Sequence, residues 1–202
     1  MKRIICTVLV AVLLAIATTV VSHSATTHTV ERGDSLWKLA VKYQVGLSEI
    51  KSANPTIKNY DLIYPGQKIN IPTISSSTAA YEAEVVRLVN QKRAEYGLKP
   101  LSQDWQLSRV ARYKSQDMKD LGYFSHTSPT YGSPFQMMKS FGISYRTAGE
   151  NIAKGYASPE AVVNAWMNSP GHRANILNST YTHIGVGFVS SGNYWTQMFI
   201  SK

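Results

Sequence analysis

The run Thr73-Ile74-Ser75-Ser76-Ser77-Thr78 decides most of what this chain can fold into, because it has too few large apolar side chains to join a core. It sets four boundaries: a leader over 1–25, a compact module over 28–72, a Ser/Thr linker over 73–79 and a larger domain over 80–202. Independent motion of two separately folded units is the default expectation for such a join. No long internal repeat is evident, so each unit occurs once.

Met1-Lys2-Arg3 followed by the apolar stretch Ile4 to Ala17, interrupted by Thr7, reads as a secretory signal. The apolar part is too short for a comfortable membrane span, although an uncleaved anchor is the competing reading. Small residues at Ser22 and Ser24 suit a signal peptidase, with cleavage after Ala25 the close alternative. Cleavage removes Cys6, the only cysteine, so the mature chain has no thiol for disulfides or nucleophilic catalysis. Its stability must then come from core burial.

In the small module, Thr27 to Val30 can form a strand, and Asp34 or Ser35 then caps a helix carrying Leu36, Trp37, Leu39, Ala40 and Tyr43. Trp37 is read as core from its spacing to Ala40, and His28 as exposed at the module entrance. A second short helix starts at Ser48 and ends at Asn54-Pro55, because the residue before a proline is steered out of the helical region. Lys68 to Pro72 closes the module as a strand. Together, this order and the runs Gly33-Asp34-Ser35-Leu36-Trp37, Asn54-Pro55 and Tyr64-Pro65-Gly66-Gln67-Lys68-Ile69 resemble the LysM family of N-acetylglucosamine-binding modules. The resemblance implies a βααβ fold with a shallow glycan groove between the turn after the first strand and the loop before the last. The matching positions are Gly33, Asp34, Ser35, Leu36, Asn54, Pro55, Leu62, Ile63 and Tyr64.

The larger domain opens with a helix whose stripe includes Tyr81, Val85, Leu88 and Val89 and which Gly97 ends. Leu101 followed by Ser102 starts a second helix, with Leu107, Val110, Ala111, Met118 and Leu121 on its buried face. Ser133-Pro134 and Ser158-Pro159-Glu160 open two shorter helices, the latter ending at Trp166. Two β runs are expected near 145–153 and 182–202.

The side chains suited to chemistry fall in three runs: Tyr123-Phe124-Ser125-His126, Gly149-Glu150-Asn151-Ile152-Ala153 and Asn168-Ser169-Pro170-Gly171-His172-Arg173. Two imidazoles and a carboxylate can bind a metal ion, zinc being the candidate, or move protons near neutral pH. Other machineries are missing. The mature chain has no thiolate and no G-x-S-x-G elbow. A glycosidase needs a second acid beside the bond. Glu82, Glu84, Glu95, Asp104, Asp117, Asp120 and Glu160 fall on polar faces or ends of the expected helices. In a purely structural reading, His172 bonds to a turn and Glu150 braces the cleft, while Asn151 locks its loop and His183 serves the fold.

These three runs, with Trp166 and the pair Ile184-Gly185-Val186-Gly187-Phe188 and Tyr194-Trp195-Thr196-Gln197-Met198-Phe199, resemble the CAP family in its cysteine-free bacterial form. An α-β-α sandwich is implied, making the whole chain α+β. Eukaryotic members of that family carry a cleft tetrad of two His and two Glu, the second Glu three residues after the Trp. Here that position is Ser169, so only His126, Glu150 and His172 carry over. CAP domains are mostly binding or signalling proteins. The resulting expectation is an exported bacterial protein of the cell wall or spore envelope, held on peptidoglycan by LysM, with a CAP domain in a binding or regulatory role. A metal-dependent peptidoglycan hydrolase or peptidase using His126, Glu150 and His172 is the alternative. Loss of Lys2 and Arg3 lowers the formal charge from +9 to +7. A chain that stays basic suits anionic wall polymers, with no nucleic acid and, after cleavage, no membrane.

Overall fold

The computed structural model describes residues 24–202, and the leader, cleavage site region before Ser24 and Cys6 lie outside the described residues. The small module runs β1 (Ser24–Thr29), α1 (Leu36–Tyr43), α2 (Leu47–Ala53) and β2 (Lys68–Thr73), with β1 and β2 antiparallel. Leu36, Leu39 and Ala40 lie at helical spacing and are buried on α1, against Val30, Ile50, Ile69 and Ile71. Ser35 caps the helix by accepting from the Lys38 N–H.

Two expectations fail here. Trp37 is 64% exposed, not core, because one residue beyond Leu36 turns the side chain about 100° around the helix, off the buried stripe. His28 is buried, not exposed: its ring is held between the Tyr43 hydroxyl at 3.0 Å and Asp34 Oδ2 at 2.9 Å. Angular position on the helix decides burial for Trp37, and partners distant in sequence decide it for His28.

The linker expectation over 73–79 is also corrected. Thr73 ends β2, and α3 (Ser76–Glu95) begins three residues later, capped by the Ser75 hydroxyl on the Thr78 N–H. Hydroxyls that look like linker composition are here N-cap chemistry. Only Ile74 and Ser75 separate the two elements. The units also touch, through Arg109 Nε donating to Glu49 Oε1 at 2.6 Å.

The larger domain continues with β3 (Ser102–Gln103), α4 (Trp105–Asp120), α5 (Pro134–Ser140), β4 (Thr147–Lys154), α6 (Pro159–Met167), α7 (Pro170–Ile176), β5 (His183–Val189) and β6 (Tyr194–Ser201). Its sheet has the order β3-β5-β6-β4, with β3 parallel to β5 and the other pairs antiparallel. Side chains alternate across the pleat. Met198 and Ile200 meet α4 and α5 on one face, while Trp195, Phe199, Ile184 and Val186 meet α3, α6 and α7 on the other. The result is the α-β-α sandwich, and the chain as a whole is α+β. The second helix starts later than expected. Ser102 pairs with β5, and Asp104 caps α4 by accepting from the Leu107 N–H at 2.9 Å. Leu121 is exposed because it lies past the last turn, at the C-cap.

The helix α4 lies against β5 with unusual closeness. A Cβ at Gly185 would overlap the backbone of Leu107 and Ser108, and one at Gly187 would overlap that of Ala111 and Arg112. Neither glycine has a positive φ, so clearance rather than backbone freedom requires them. The same helix helps close the edge of β5 beyond its short pairing with β3. The Val186 N–H donates to Ser108 Oγ at 3.2 Å, and the Phe188 N–H to Glu82 Oε1 at 3.1 Å. Glu82 was expected on a polar face of its helix, yet it is buried and bound by Arg112 Nε at 3.0 Å through both oxygens.

Gly187→Ala should therefore overpack the α4–β5 contact and cost about 2–3 kcal/mol. Gly171→Ala, in open space inside α7, should be neutral or stabilising by up to about 1 kcal/mol. Chemical denaturation of the two variants checks the contrast.

Burial pushes the Glu82 carboxyl up to about 7, against the pull of Arg112 and the Phe188 N–H. The native state then holds this proton where the unfolded chain does not. Its stabilising contribution is full below the ordinary carboxylate range and is lost as pH rises to about 7. In thermal melts between pH 5 and 8, Glu82→Gln should show less decline with rising pH than the wild type.

Candidate functional site

Glu150 sits midway along β4 opposite Met198, so its side chain points toward the α4 layer. His126 comes from the loop between α4 and α5. That loop is fastened from α4: Lys114 Nζ donates to the His126 carbonyl at 2.9 Å and to the Tyr123 hydroxyl at 3.1 Å. One turn on, the Asp117 carboxylate accepts from the hydroxyls of Tyr123, Ser128 and Thr130. Burial raises the Asp117 pKa, but the Ser128, Thr130 and Tyr123 hydrogen bonds outweigh it and hold it below its ordinary value. Lys114 is buried, and that burial lowers its pKa.

Within this frame His126 Nδ1 and Glu150 Oε1 are 2.8 Å apart. The Glu150 side chain is 1% exposed and that of His126 53%, so the carboxylate is a buried floor and the imidazole an accessible wall. Burial raises the Glu150 pKa, opposed by the His126 hydrogen bond and by the Lys114 and His126 charges. Its second oxygen, Oε2, is buried without a hydrogen-bond partner. His172 enters from α7, on the opposite layer, and its pKa is lowered by burial and then by the charge of His126. The pairing of His126 with Glu150 is thus close, and His172 is near enough to His126 to feel its charge.

The mounting of His172 is explicit. Asn151, fully buried, donates through Nδ2 to the His172 carbonyl at 3.1 Å and to Gln197 Oε1 at 2.9 Å. Its Oδ1 accepts from Asn175 Nδ2 at 2.8 Å, and Asn175 also reaches the Glu150 carbonyl at 3.2 Å. Asn151 locks its segment, as expected from the sequence. Asn175 and Gln197 escaped sequence reasoning because nothing local distinguishes a bracing amide from a surface one. Gly149 makes room for the brace, since a Cβ there would crowd the Tyr181 hydroxyl and Asn175 Oδ1. Ser169 is the N-cap position of α7 and makes no side-chain capping bond.

The zinc expectation does not fit this arrangement. Among the described residues no three His, Cys, Asp or Glu side chains converge as ligands of one metal ion. His126 instead turns Nδ1 onto Glu150. The chemistry open to the cleft is hydrogen bonding and proton exchange through an accessible imidazole backed by a buried carboxylate.

On the small module, Gly33, Pro55, Leu62 and Tyr64 are exposed, Tyr64 by 60%, and Asp34, Ser35 and Ile63 are half-buried. Gly33 adopts φ +93°, a turn that favours glycine. Leu36 and Asn54 are corrected as groove contacts, because both side chains are buried. Leu36 belongs to the core, and Asn54 is a peg that donates to the Ile50 and Asn70 carbonyls and accepts from the Asn70 N–H. They hold the walls of the groove and do not line it.

A two-domain chain of this construction, a βααβ module joined to an α-β-α sandwich with a His–Glu cleft, defines a recognisable class. Residues 86–200 match the cysteine-rich secretory protein family, CAP, and the chain belongs to that family. Residues 28–72 match the LysM domain, a class of module that binds N-acetylglucosamine-containing glycans such as peptidoglycan. The chain is 66% identical over 137 residues to the uncharacterized protein YkwD of Bacillus subtilis, covering 67% of this chain and 53% of that protein. Over 46 residues it is 52% identical to SpoIVD-associated factor A of Bacillus subtilis, covering 23% of this chain and 12% of that one. A solved extracellular protein containing an SCP domain from Bacillus anthracis superposes with a TM-score of 0.60 at 34% identity, over 68% of this chain and 47% of that one. The chain spans about half the length of the relatives that match its CAP domain.

Asn151→Ala should strand the Gln197 and Asn175 amides and the His172 carbonyl together. A loss of about 2–4 kcal/mol is expected in denaturant unfolding, more than for a single exposed hydrogen bond.

Proposed function

We propose that this is an exported, wall-associated bacterial protein in which LysM retains the chain on peptidoglycan and the CAP domain performs a binding or regulatory task in the envelope or spore. The observation that carries the reading is the LysM match over 28–72 together with the exposure of Leu62 and Tyr64 in the loop before β2 and of Gly33 in the turn after β1. Apolar side chains there receive a sugar face, and the turn's backbone groups bond its acetamido substituents. The likeness to SpoIVD-associated factor A, over 46 residues, supports the spore branch of the reading. The basic chain, formally +9 and +7 once Lys2 and Arg3 are lost with the leader, adds attraction to anionic wall polymers.

The CAP cleft is read as a binding site. Its one buried carboxylate is already engaged with His126, and the position of the second family Glu is Ser169. The hydrolase alternative draws on the same pair, since an imidazole beside a carboxylate of raised pKa can move protons.

In a pull-down on purified peptidoglycan, Tyr64→Ala should weaken retention roughly tenfold, the effect of about 1.4 kcal/mol. Added salt should remove only a smaller part, because exposed charge attraction is screened over about 8 Å at physiological ionic strength. Retention unaffected by Tyr64→Ala and abolished by salt would make the basic surface the anchor instead. Release of muropeptides by the pure protein, lost in Glu150→Gln, would establish the hydrolase.

A further inference from the structure

One set of contacts serves neither unit's own core. Arg109, on α4 of the CAP domain, donates through Nε to Glu49 Oε1 at 2.6 Å and through NH2 to Ser48 Oγ at 3.3 Å on α2 of the LysM module. The Tyr113 hydroxyl donates to the same Glu49 oxygen at 2.7 Å. The other Glu49 oxygen accepts from the Gly46 N–H at 2.6 Å, which fixes the carboxylate in the first turn of its helix. The guanidinium carbon of Arg109 lies 5.2 Å from the ring centroids of both Tyr113 and Phe141.

Gly46 supplies an independent sign. Its backbone is extended, at φ −72° and ψ 143°, a conformation open to any residue, so the turn does not require glycine there. A Cβ at that position would overlap Nε, Cζ and NH2 of Arg109. With the guanidinium docked in this position, a small residue at 46 is favoured. The connection points the same way: with only Ile74 and Ser75 between β2 and α3, the module is tethered so closely that a small contact suffices to hold it. Glu49 is suited to the role. Burial pushes its carboxyl up, but the Tyr113 hydroxyl, the Gly46 N–H and Arg109 outweigh that and keep it ionised at neutral pH.

We propose that Gly46, Ser48 and Glu49 form a docking face that fits a receptor of Arg109, Tyr113 and Phe141, so that the LysM module and the CAP domain behave as one body in solution. The groove and the His126–Glu150 cleft then keep a fixed mutual orientation. The proposal does not rest on what either site binds, and its test needs no ligand.

Backbone 15N relaxation on the mature chain should give one rotational correlation time for residues of both units. Gly46→Ala and Arg109→Ala should each split it into two, and each should speed proteolytic cleavage near 73–76 roughly tenfold, the scale of one charge-assisted hydrogen bond. The decisive outcome is the double variant. With Arg109 trimmed, the alanine methyl has nothing to strike, so Gly46→Ala should add little to Arg109→Ala. Arg109→Ala leaves the LysM sequence untouched and so reads the interface even if Gly46→Ala unfolds α2. Two correlation times in the wild type, or one in Arg109→Ala, overturns the proposal.

Discussion

The close approach of α4 to β5 is the constraint on which the rest of the larger domain depends. Gly185 and Gly187 remove the side chains that would hold the helix off the sheet. The gain is a helix whose every face is used. Leu107 and Ala111 pack on the sheet, and Ser115 bonds the Gly187 carbonyl and Thr196 within it. Ser108 reaches the open edge of β5, and Arg112 reaches Glu82, which closes the same edge further along. Lys114 and Asp117 carry the loop that presents His126, while Arg109 and Tyr113 face the LysM module. Moving this helix outward by the thickness of a methyl group would disturb core, cleft and domain contact together, because interiors this dense transmit displacement.

The cleft shows a division of labour between layers. His126 is mounted from the α4 side and His172 from the α7 side, with Glu150 on the strand between them. Neither histidine is held chiefly by its own ring. Each has its backbone carbonyl anchored by a buried donor, Lys114 for one and Asn151 for the other. Main-chain anchoring therefore places both rings, with that of His126 fixed further by Nδ1 on Glu150, which suits a site that must be ordered before anything arrives. Among the described residues, Glu150 Oε2 and Gln197 Nε2 are the two costly atoms of this frame, both buried without a hydrogen-bond partner.

Much of this was legible in the sequence, wherever a local rule matched the global packing. Ser133-Pro134 and Ser158-Pro159 cap helices as their chemistry demands, and Gly97 follows α3 with φ +69°. The βααβ order and the α-β-α layering are also present as read. What could not be read depended on partners far along the chain. Glu82 on a helix of modest amphipathic character gives no local sign of its contact with Phe188, over a hundred residues away. Residues 73–79 read as a linker because serine hydroxyls serve caps and linkers alike. Trp37 and Leu121 fell a fraction of a turn, or one residue, outside the stripes assigned to them. The zinc set failed on geometry, since residue types give no distances. The short helix α7 was hidden in the Asn168-to-Arg173 run, which reads more easily as a turn than as the start of a helix.

Two residues of connecting chain span at most about 7 Å when fully extended. A tether of that length turns the small module into something other than a leash on which the larger domain roams. Whatever the groove grips becomes the origin of a coordinate frame, and the cleft can sample only material lying within about a domain's width of that point. In a meshwork, such a molecule would respond to what is attached near its own foothold and remain blind to the same chemical group one strand further away.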